Sequence, residues 1–299
     1  MRASTVLLAS LVLALLAGCG GSGEAQPAGP TRDDPVPAAD ARQFAYDAAA
    51  PLDVSEGETV TELAYEIVGM SYAGTGDRVS GIVVHPRFTR PGAAGVIFMH
   101  GSGGTRADFL DEAVKLAEKG AVALTIDSPW ARSTRPDVQA GYADDPTTKR
   151  LLIRNVQDLR RGLDVLVQRY EVDPARLAVV GYSMGVQAAG LASALDPRVR
   201  AVVLMAGRAH PSGRATDTAS RRVFGPYDTV RFVGQLAPAH VLLQGGTKDD
   251  VIGRPEMVAL HSATSEPKEL RWYPAGHGLG FRAQRERLAW LSTELGLGR

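Results

Sequence analysis

Leu177-Ala178-Val179-Val180-Gly181-Tyr182-Ser183-Met184-Gly185-Val186-Gln187-Ala188-Ala189-Gly190 is the stretch from which the architecture is read. Four apolar residues in a row suit a buried strand, and the small-residue segment after Gly185 suits a helix packed closely on that strand. Between them, Gly181 and Gly185 lack side chains, so the chain can turn sharply from strand to helix while Ser183 stays exposed at the apex. The helix start also sets free amides and a positive dipole end beside the serine hydroxyl. In a chain with 33 glycines the Gly-x-Ser-x-Gly pattern alone carries little weight; its strand-turn-helix setting makes it a candidate nucleophile.

Outward from this stretch, short apolar runs alternate with helix-like segments. Candidate strands cover residues 63–68, 79–85, 95–99, 122–126, 177–180, 201–205, 240–244 and 269–273. The alternation predicts an α/β fold, a mostly parallel eight-stranded sheet flanked by helices. Ala73-Gly74-Thr75-Gly76-Asp77 is a turn, so the first two strands form an antiparallel pair ahead of the parallel part. The clearest helix spans residues 146–170, with Leu152, Val156, Leu159, Leu163 and Leu166 on one face, Asp145 as cap and Pro146 in the first turn. Others are expected over residues 107–119, ended by Gly120, and 282–295. No internal repeat is present.

A serine hydroxyl needs a base to take its proton. Of six histidines, His277 fits best, in the mobile, Gly-flanked loop Pro274-Ala275-Gly276-His277-Gly278 before the last helix. His85, His210, His240 and His261 read as surface or packed histidines, and His100 as a loop anchor. The base in turn needs an acid to fix its tautomer. Strand 240–244 runs into Gly245-Gly246-Thr247-Lys248-Asp249-Asp250, where turn geometry favours Asp249 over Asp250. The chain order Ser183, Asp249, His277 is that of one hydrolase fold and of neither unrelated serine-protease order. For a developing oxyanion, the expected donors are the amides of Met184 and of Ser102, with Gly103 in reserve, in His100-Gly101-Ser102-Gly103-Gly104.

Together these motifs resemble the α/β-hydrolase superfamily over roughly residues 63–295. Val172-Asp173-Pro174-Ala175-Arg176-Leu177 and Asp158-Leu159-Arg160-Arg161 are similar to its dienelactone-hydrolase-like and prolyl-oligopeptidase-like esterases. The resemblance implies the α/β-hydrolase fold without a large cap domain, a small-molecule ester substrate, and an acyl-enzyme on Ser183, with no cofactor and no metal. Two departures stand out: Gly245 replaces a histidine frequent in relatives, and a serine stands where dienelactone hydrolases proper often use cysteine. Residues 127–142, with Trp130, Arg132, Arg135 and Tyr142, are expected to shape the substrate mouth, where an arginine could hold a carboxylate; residues 210–225 form a second bordering loop. A peptidase or thioesterase would use the same triad, and a binding protein could keep the fold without catalysis.

Residues 1–18 are of another kind. Arg2 precedes a charge-free run over residues 6–17, too short to span a bilayer and typical of an export signal. Leu16-Ala17-Gly18-Cys19 resembles the bacterial lipoprotein signal, which implies lipid attachment at Cys19 and anchoring at the outer face of a membrane. Cys19 is the sole cysteine, so no internal disulfide competes for it. Residues 19–40, rich in Gly, Pro, Ala and Asp, read as a flexible tether, leaving residues 41–299 for a catalytic domain. The 33 basic residues balance the 33 acidic ones, so no net field recommends nucleic acid as a partner.

Overall fold

The computed structural model describes residues 36–89, 91–132, 146–210 and 225–298. The expected export signal, Cys19 and nearly all of the expected tether lie outside them, as do Asp145, Arg135 and Tyr142 of the expected mouth loop and most of residues 210–225.

Among the described residues nine strands form one sheet: β1 Ser55–Thr61, β2 Tyr65–Ala73, β3 Arg78–Pro86, β4 Gly95–Met99, β5 Val122–Ile126, β6 Leu177–Tyr182, β7 Val199–Met205, β8 His240–Gly246 and β9 Lys268–Tyr273. Their order is β1-β2-β3-β5-β4-β6-β7-β8-β9. The first three strands join antiparallel and the remaining six are parallel. The β2–β3 hairpin turns at residues 74–77, as its glycines predict: a Cβ on Gly74 would lie 2.6 Å from the Asp77 carbonyl oxygen.

The sheet has one strand more than the eight expected. The additional strand, β1, is Ser-Glu-Gly-Glu-Thr-Val-Thr, exposed at every residue and bulged between Glu56 and Thr59. An edge strand with no buried face carries no apolar alternation to be read.

Among the described residues eight helices follow in order: α1 Ala38–Arg42, α2 Leu110–Ala117, α3 Pro129–Arg132, α4 Pro146–Arg169, α5 Gly185–Ala194, α6 Thr229–Val233, α7 Arg254–Ala263 and α8 Gly280–Glu294. Residues 38–40, which composition assigns to the tether, are the first turn of α1, held by the Asp40–Arg231 ion pair at 2.8 Å. The helix expected over residues 107–119 begins instead as a 3₁₀ turn, Arg106–Phe109, with Thr105 and Asp108 in a capping box. Gly120 ends that segment at φ +94°, a conformation that favours glycine.

Alternating side chains of the parallel strands feed two cores. Ile97, Leu124 and Val179 pack on one face with Leu159, Leu163 and Leu166 of α4. Phe98, Val180 and Leu242 pack on the other with Leu116 of α2 and Leu291 of α8. Buried on both faces, the parallel strands β4 to β8 read as apolar runs, which is why their positions were legible. The edge strand β9, Lys-Glu-Leu-Arg-Trp-Tyr, is only half-buried. Met99 is in register with Gly181, Tyr182 with Met205, and Gly246 with Tyr273. The loops after β4, β6, β8 and β9 therefore leave the sheet side by side at its carboxyl edge.

Candidate active site

The turn after β6 holds Ser183 at φ +52°, a left-handed backbone that costs a non-glycine residue free energy. Three close approaches fix it. The Ser183 amide donates to the Met205 carbonyl at 2.8 Å. A Cβ on Gly181 would lie 2.6 Å from Ala189 Cβ, and one on Gly185 would lie 2.5 Å from the Met99 carbonyl oxygen. The glycines of the motif are therefore required by close packing of α5 on β6 and on the end of β4.

His277 reaches Ser183 from the loop after β9. Its Nε2 lies 2.9 Å from Ser183 Oγ and its Nδ1 lies 2.9 Å from Asp249 Oδ2. Opposite a carboxylate, Nδ1 carries the proton and donates it, leaving Nε2 to accept from the serine hydroxyl. Asp249 is oriented in turn, for Oδ1 accepts from the amides of Val251 at 2.9 Å and Ile252 at 2.8 Å. Its side chain is 1% exposed, whereas Asp250 is exposed. Asp249 thus does two things at once, as one oxygen closes an Asx turn and the other meets the histidine.

The loop after β4 lies against the elbow, since a Cβ on Gly101 would be 3.1 Å from Ser183 Cβ. Among the described residues, neither the Ser102 nor the Met184 amide donates a hydrogen bond within the chain. Gly103, the reserve, adopts φ +71°. Both ends of this loop are pinned to the end of β5. His100 Nε2 accepts from the Ser128 amide at 2.9 Å while Nδ1 meets the Gly101 carbonyl at 2.7 Å, the anchor role expected of it. A backbone amide can only donate, so Nε2 is bare and the proton sits on Nδ1. Burial pushes the His100 pKa below its ordinary value, in keeping with a neutral ring. At the other end, the Arg106 amide donates to Asp127 Oδ1 at 2.7 Å, and the Arg106 guanidinium pairs with the same carboxylate.

Two expectations are corrected. Arg132 is not available to a substrate carboxylate: its guanidinium is buried, donating to Asp158 at 2.6 Å and to Asp77 at 3.1 Å. It staples the end of β5 to α4 and to the β2–β3 turn, and a mouth role would leave Asp158 buried without its cation. Trp130, in α3, is likewise buried. The space left at Gly245 by the missing histidine is filled from β9, because a Cβ there would lie 2.6 Å from the Trp272 ring, on whose other contacts sits Arg254, 4.4 Å from the ring centroid.

Tyr182 was overlooked, although it stands inside the motif. Its ring lies 5.2 Å from that of His277 at a tilt of 39°, and its hydroxyl donates to the His277 carbonyl at 3.4 Å. Burial, then the nearby Asp249 charge, pushes its pKa above the ordinary tyrosine value, so it remains a neutral donor. Gln244, buried in β8, was also missed. It donates to the Tyr273 hydroxyl at 2.8 Å and to the Ala283 carbonyl at 3.0 Å. It thereby ties together β8, β9 and α8, the elements on either side of Asp249 and His277. Of the other histidines, His210 pairs with Asp228 at 2.8 Å and His240 with Glu294 at 2.9 Å. Among the described residues no group of three or more His, Cys, Asp or Glu is gathered to hold a metal.

The profile of the Dienelactone hydrolase family matches residues 79–290, more than two thirds of the chain. Among solved structures, an acetyl xylan esterase from Paenibacillus sp. R4 is similar at 22% identity and a TM-score of 0.68, covering 86% of this chain and 92% of that one. Acetyl xylan esterase 1 from Thermoanaerobacterium sp. JW/SL YS485 is similar at 19% identity and a TM-score of 0.69, over 87% and 95% of the two chains. A cold-adapted esterase from an Arctic intertidal metagenomic library is similar at 19% identity and a TM-score of 0.63, over 80% and 98%. Among curated protein sequences none matches at a significant level. Sharing a profile over both the elbow and the histidine loop, and a sheet with the α/β-hydrolase strand order, the chain belongs to the dienelactone hydrolase family and is a serine hydrolase of the α/β-hydrolase fold.

Proposed function

We propose that the protein is an exported, lipid-anchored carboxylic-ester hydrolase that works through an acyl-enzyme on Ser183. The observation that carries this reading is the unbroken hydrogen-bonded series from Ser183 Oγ through His277 to Asp249. As the ester carbonyl is attacked, the Ser183 proton passes to His277 Nε2, and the imidazolium is stabilised by Asp249. The carbonyl oxygen becomes an oxyanion facing the amides of Met184 and Ser102. Collapse expels the alcohol, which takes the proton from Nε2. A water then attacks the acyl-enzyme, giving its proton to His277, and the acid leaves as that proton returns to Ser183.

The similar acetyl xylan esterases make a small acetyl ester the natural first probe. A soluble chain lacking residues 1–19 is expected to hydrolyse 4-nitrophenyl acetate, and Ser183→Ala to lower kcat by about 10⁴-fold or more. A fluorophosphonate should label the folded parent and not the variant. Hydrolysis that survives Ser183→Ala unchanged would remove Ser183 from the mechanism. Matched ester, thioester and amide substrates compared side by side separate an esterase from a thioesterase or peptidase. Export and anchoring are supported by the charge-free run, by Leu16-Ala17-Gly18-Cys19 and by the absence of any other cysteine. They are tested separately, by palmitate labelling that Cys19→Ala should abolish.

A further inference from the structure

Two large apolar side chains stand almost fully in solvent on neighbouring turns. Leu63, at the bend between β1 and β2, is 90% exposed, and Phe88, in the turn after β3, is 83% exposed. The turns are joined, because the Arg87 amide donates to the Ala64 carbonyl at 3.0 Å and Tyr65 is in register with Pro86. The Phe88 turn is held in shape by a Thr89 hydroxyl that donates to the Pro86 carbonyl at 2.9 Å. Ordered turns that present a leucine and a phenylalanine outward incur the cost of hydrating them unless something apolar receives them.

We infer that Leu63 and Phe88 insert into the surface of the lipid bilayer that carries the anchor; this rests on the proposal that Cys19 is lipidated. Three observations favour a bilayer over a protein partner. The chain outside the described residues carries its own membrane signal, and residues 20–35 can extend on the order of 50 Å, well beyond the radius of gyration of about 18 Å expected for a domain of this size. At that contour length attachment at Cys19 does not by itself fix orientation, and a docking face would set it. The two residues also lie at the correct end: Val84 is in register with Ala123 near the start of β5, so the Phe88 turn is at the amino edge of the parallel strands. Ser183, Asp249 and His277 are at the carboxyl edge, so docking through Leu63 and Phe88 directs the active site away from the membrane. Finally, the exposed apolar area on these turns is two protruding side chains rather than a broad flat patch. Such points suit insertion among headgroups better than burial against another protein. In sequence Arg87 and Arg90 flank Phe88 while Glu62 and Glu66 flank Leu63, with the Arg87 guanidinium 5.9 Å from the Phe88 ring centroid. The charges around the pair balance, so apolar insertion rather than attraction to anionic lipid is the driving term.

Both cores lie within residues 36–298, so a chain beginning at Gly20 keeps the fold without any lipid. Mixed with sedimenting vesicles of phosphatidylcholine, or of phosphatidylcholine and phosphatidylglycerol, this chain should partition onto both, with little response to added salt. The double variant Leu63→Ser/Phe88→Ser should bind at least tenfold more weakly while retaining ester hydrolysis and its circular dichroism spectrum. A parent chain that stays in the supernatant, or a double variant that sediments equally, overturns the inference. So does a parent that light scattering shows to be a dimer and a double variant that is a monomer, which would make this face a contact with a second copy. Since Cys19 is absent from the assay, loss of palmitate labelling would remove the anchor yet leave the vesicle result standing.

Discussion

His100 occupies a position where one proton decides a hydrogen bond. The Ser128 amide needs a bare Nε2, and protonating that nitrogen would set two donors against each other inside the protein. Burial lowers the folded-state pKa below the ordinary 6.5, so the unfolded chain takes up the proton first as pH falls. Stability from this group is present above about pH 6.5 and is lost as the pH drops from there toward the lower folded value. Thermal melts between pH 7 and pH 5 should show this decline, and His100→Ala should flatten its share while costing about 1–3 kcal/mol for the unpaired Ser128 amide. At Asp249, the Asn variant keeps Oδ1 for the Val251 and Ile252 amides but loses the carboxylate that holds the His277 tautomer. Asp249→Asn should reduce kcat by about 10³- to 10⁴-fold with the melting point nearly unchanged, whereas Asp250→Asn should change kcat by less than about twofold. The serine, acid and histidine were legible because each sits in a glycine-rich turn at the end of a strand, an apolar one for Ser183 and Asp249. Tyr182 was not, since nothing local distinguishes a ring that lies tilted against a distant histidine from one that only packs. The same holds for Arg132, whose partners Asp77 and Asp158 lie far away in sequence, so that a loop arginine and a buried staple look alike.

At the scale of elements, α2 and α8 cover one face of the sheet and are joined by a buried ion pair, Glu112 with Arg287, which also approaches Gln244 at 3.3 Å. The pair matters for function because α8 begins directly after the His277 loop and Gln244 lies in the strand that ends before Asp249. Removing one charge strands the other in the interior. Glu112→Ala should therefore cost about 3–5 kcal/mol in urea unfolding, while a double Glu112→Met/Arg287→Leu variant should regain most of that loss. If the single and double variants are equally unstable, the pair is not the source of the cost. The parallel strands from β4 to β8 were read to within a residue or two because both of their faces are apolar. The sequence of α8 disguises its inner face, for Arg287 is buried there among Leu288 and Leu291, and a charge on a helix is ordinarily taken for its solvated side.

On the scale of the whole molecule, residues 36–54 belong to the folded unit although little in their composition announces it. Phe44 is buried in the larger core, its ring 5.9 Å from that of Tyr227 and 5.6 Å from that of Phe232. The following residues run along α4 as a strap with no regular structure, so their carbonyls need partners from side chains. Gln157 donates to the Ala45 carbonyl at 2.7 Å, and Arg161 donates to the carbonyls of Asp47 at 3.2 Å, Pro51 at 2.8 Å and Ala73 at 2.6 Å. Tyr46 adds a hydrogen bond to Asp164 at 2.8 Å. A tether that ends before this strap and a domain that starts with it give different outcomes on truncation. Starting the chain at Val36 should leave the melting point within about 2 °C, since it removes no described contact. Starting it at Leu52 removes Phe44, exposes Tyr227 and Phe232, and leaves Arg161 with fewer of its carbonyls; that chain should be destabilised by more than Phe44→Ala alone. The single substitution itself should cost about 3–5 kcal/mol, or roughly 10 °C in Tm for a domain of this size. A chain starting at Leu52 that melts with the parent would show the strap to be an ornament of the fold, and the domain boundary would then move beyond it.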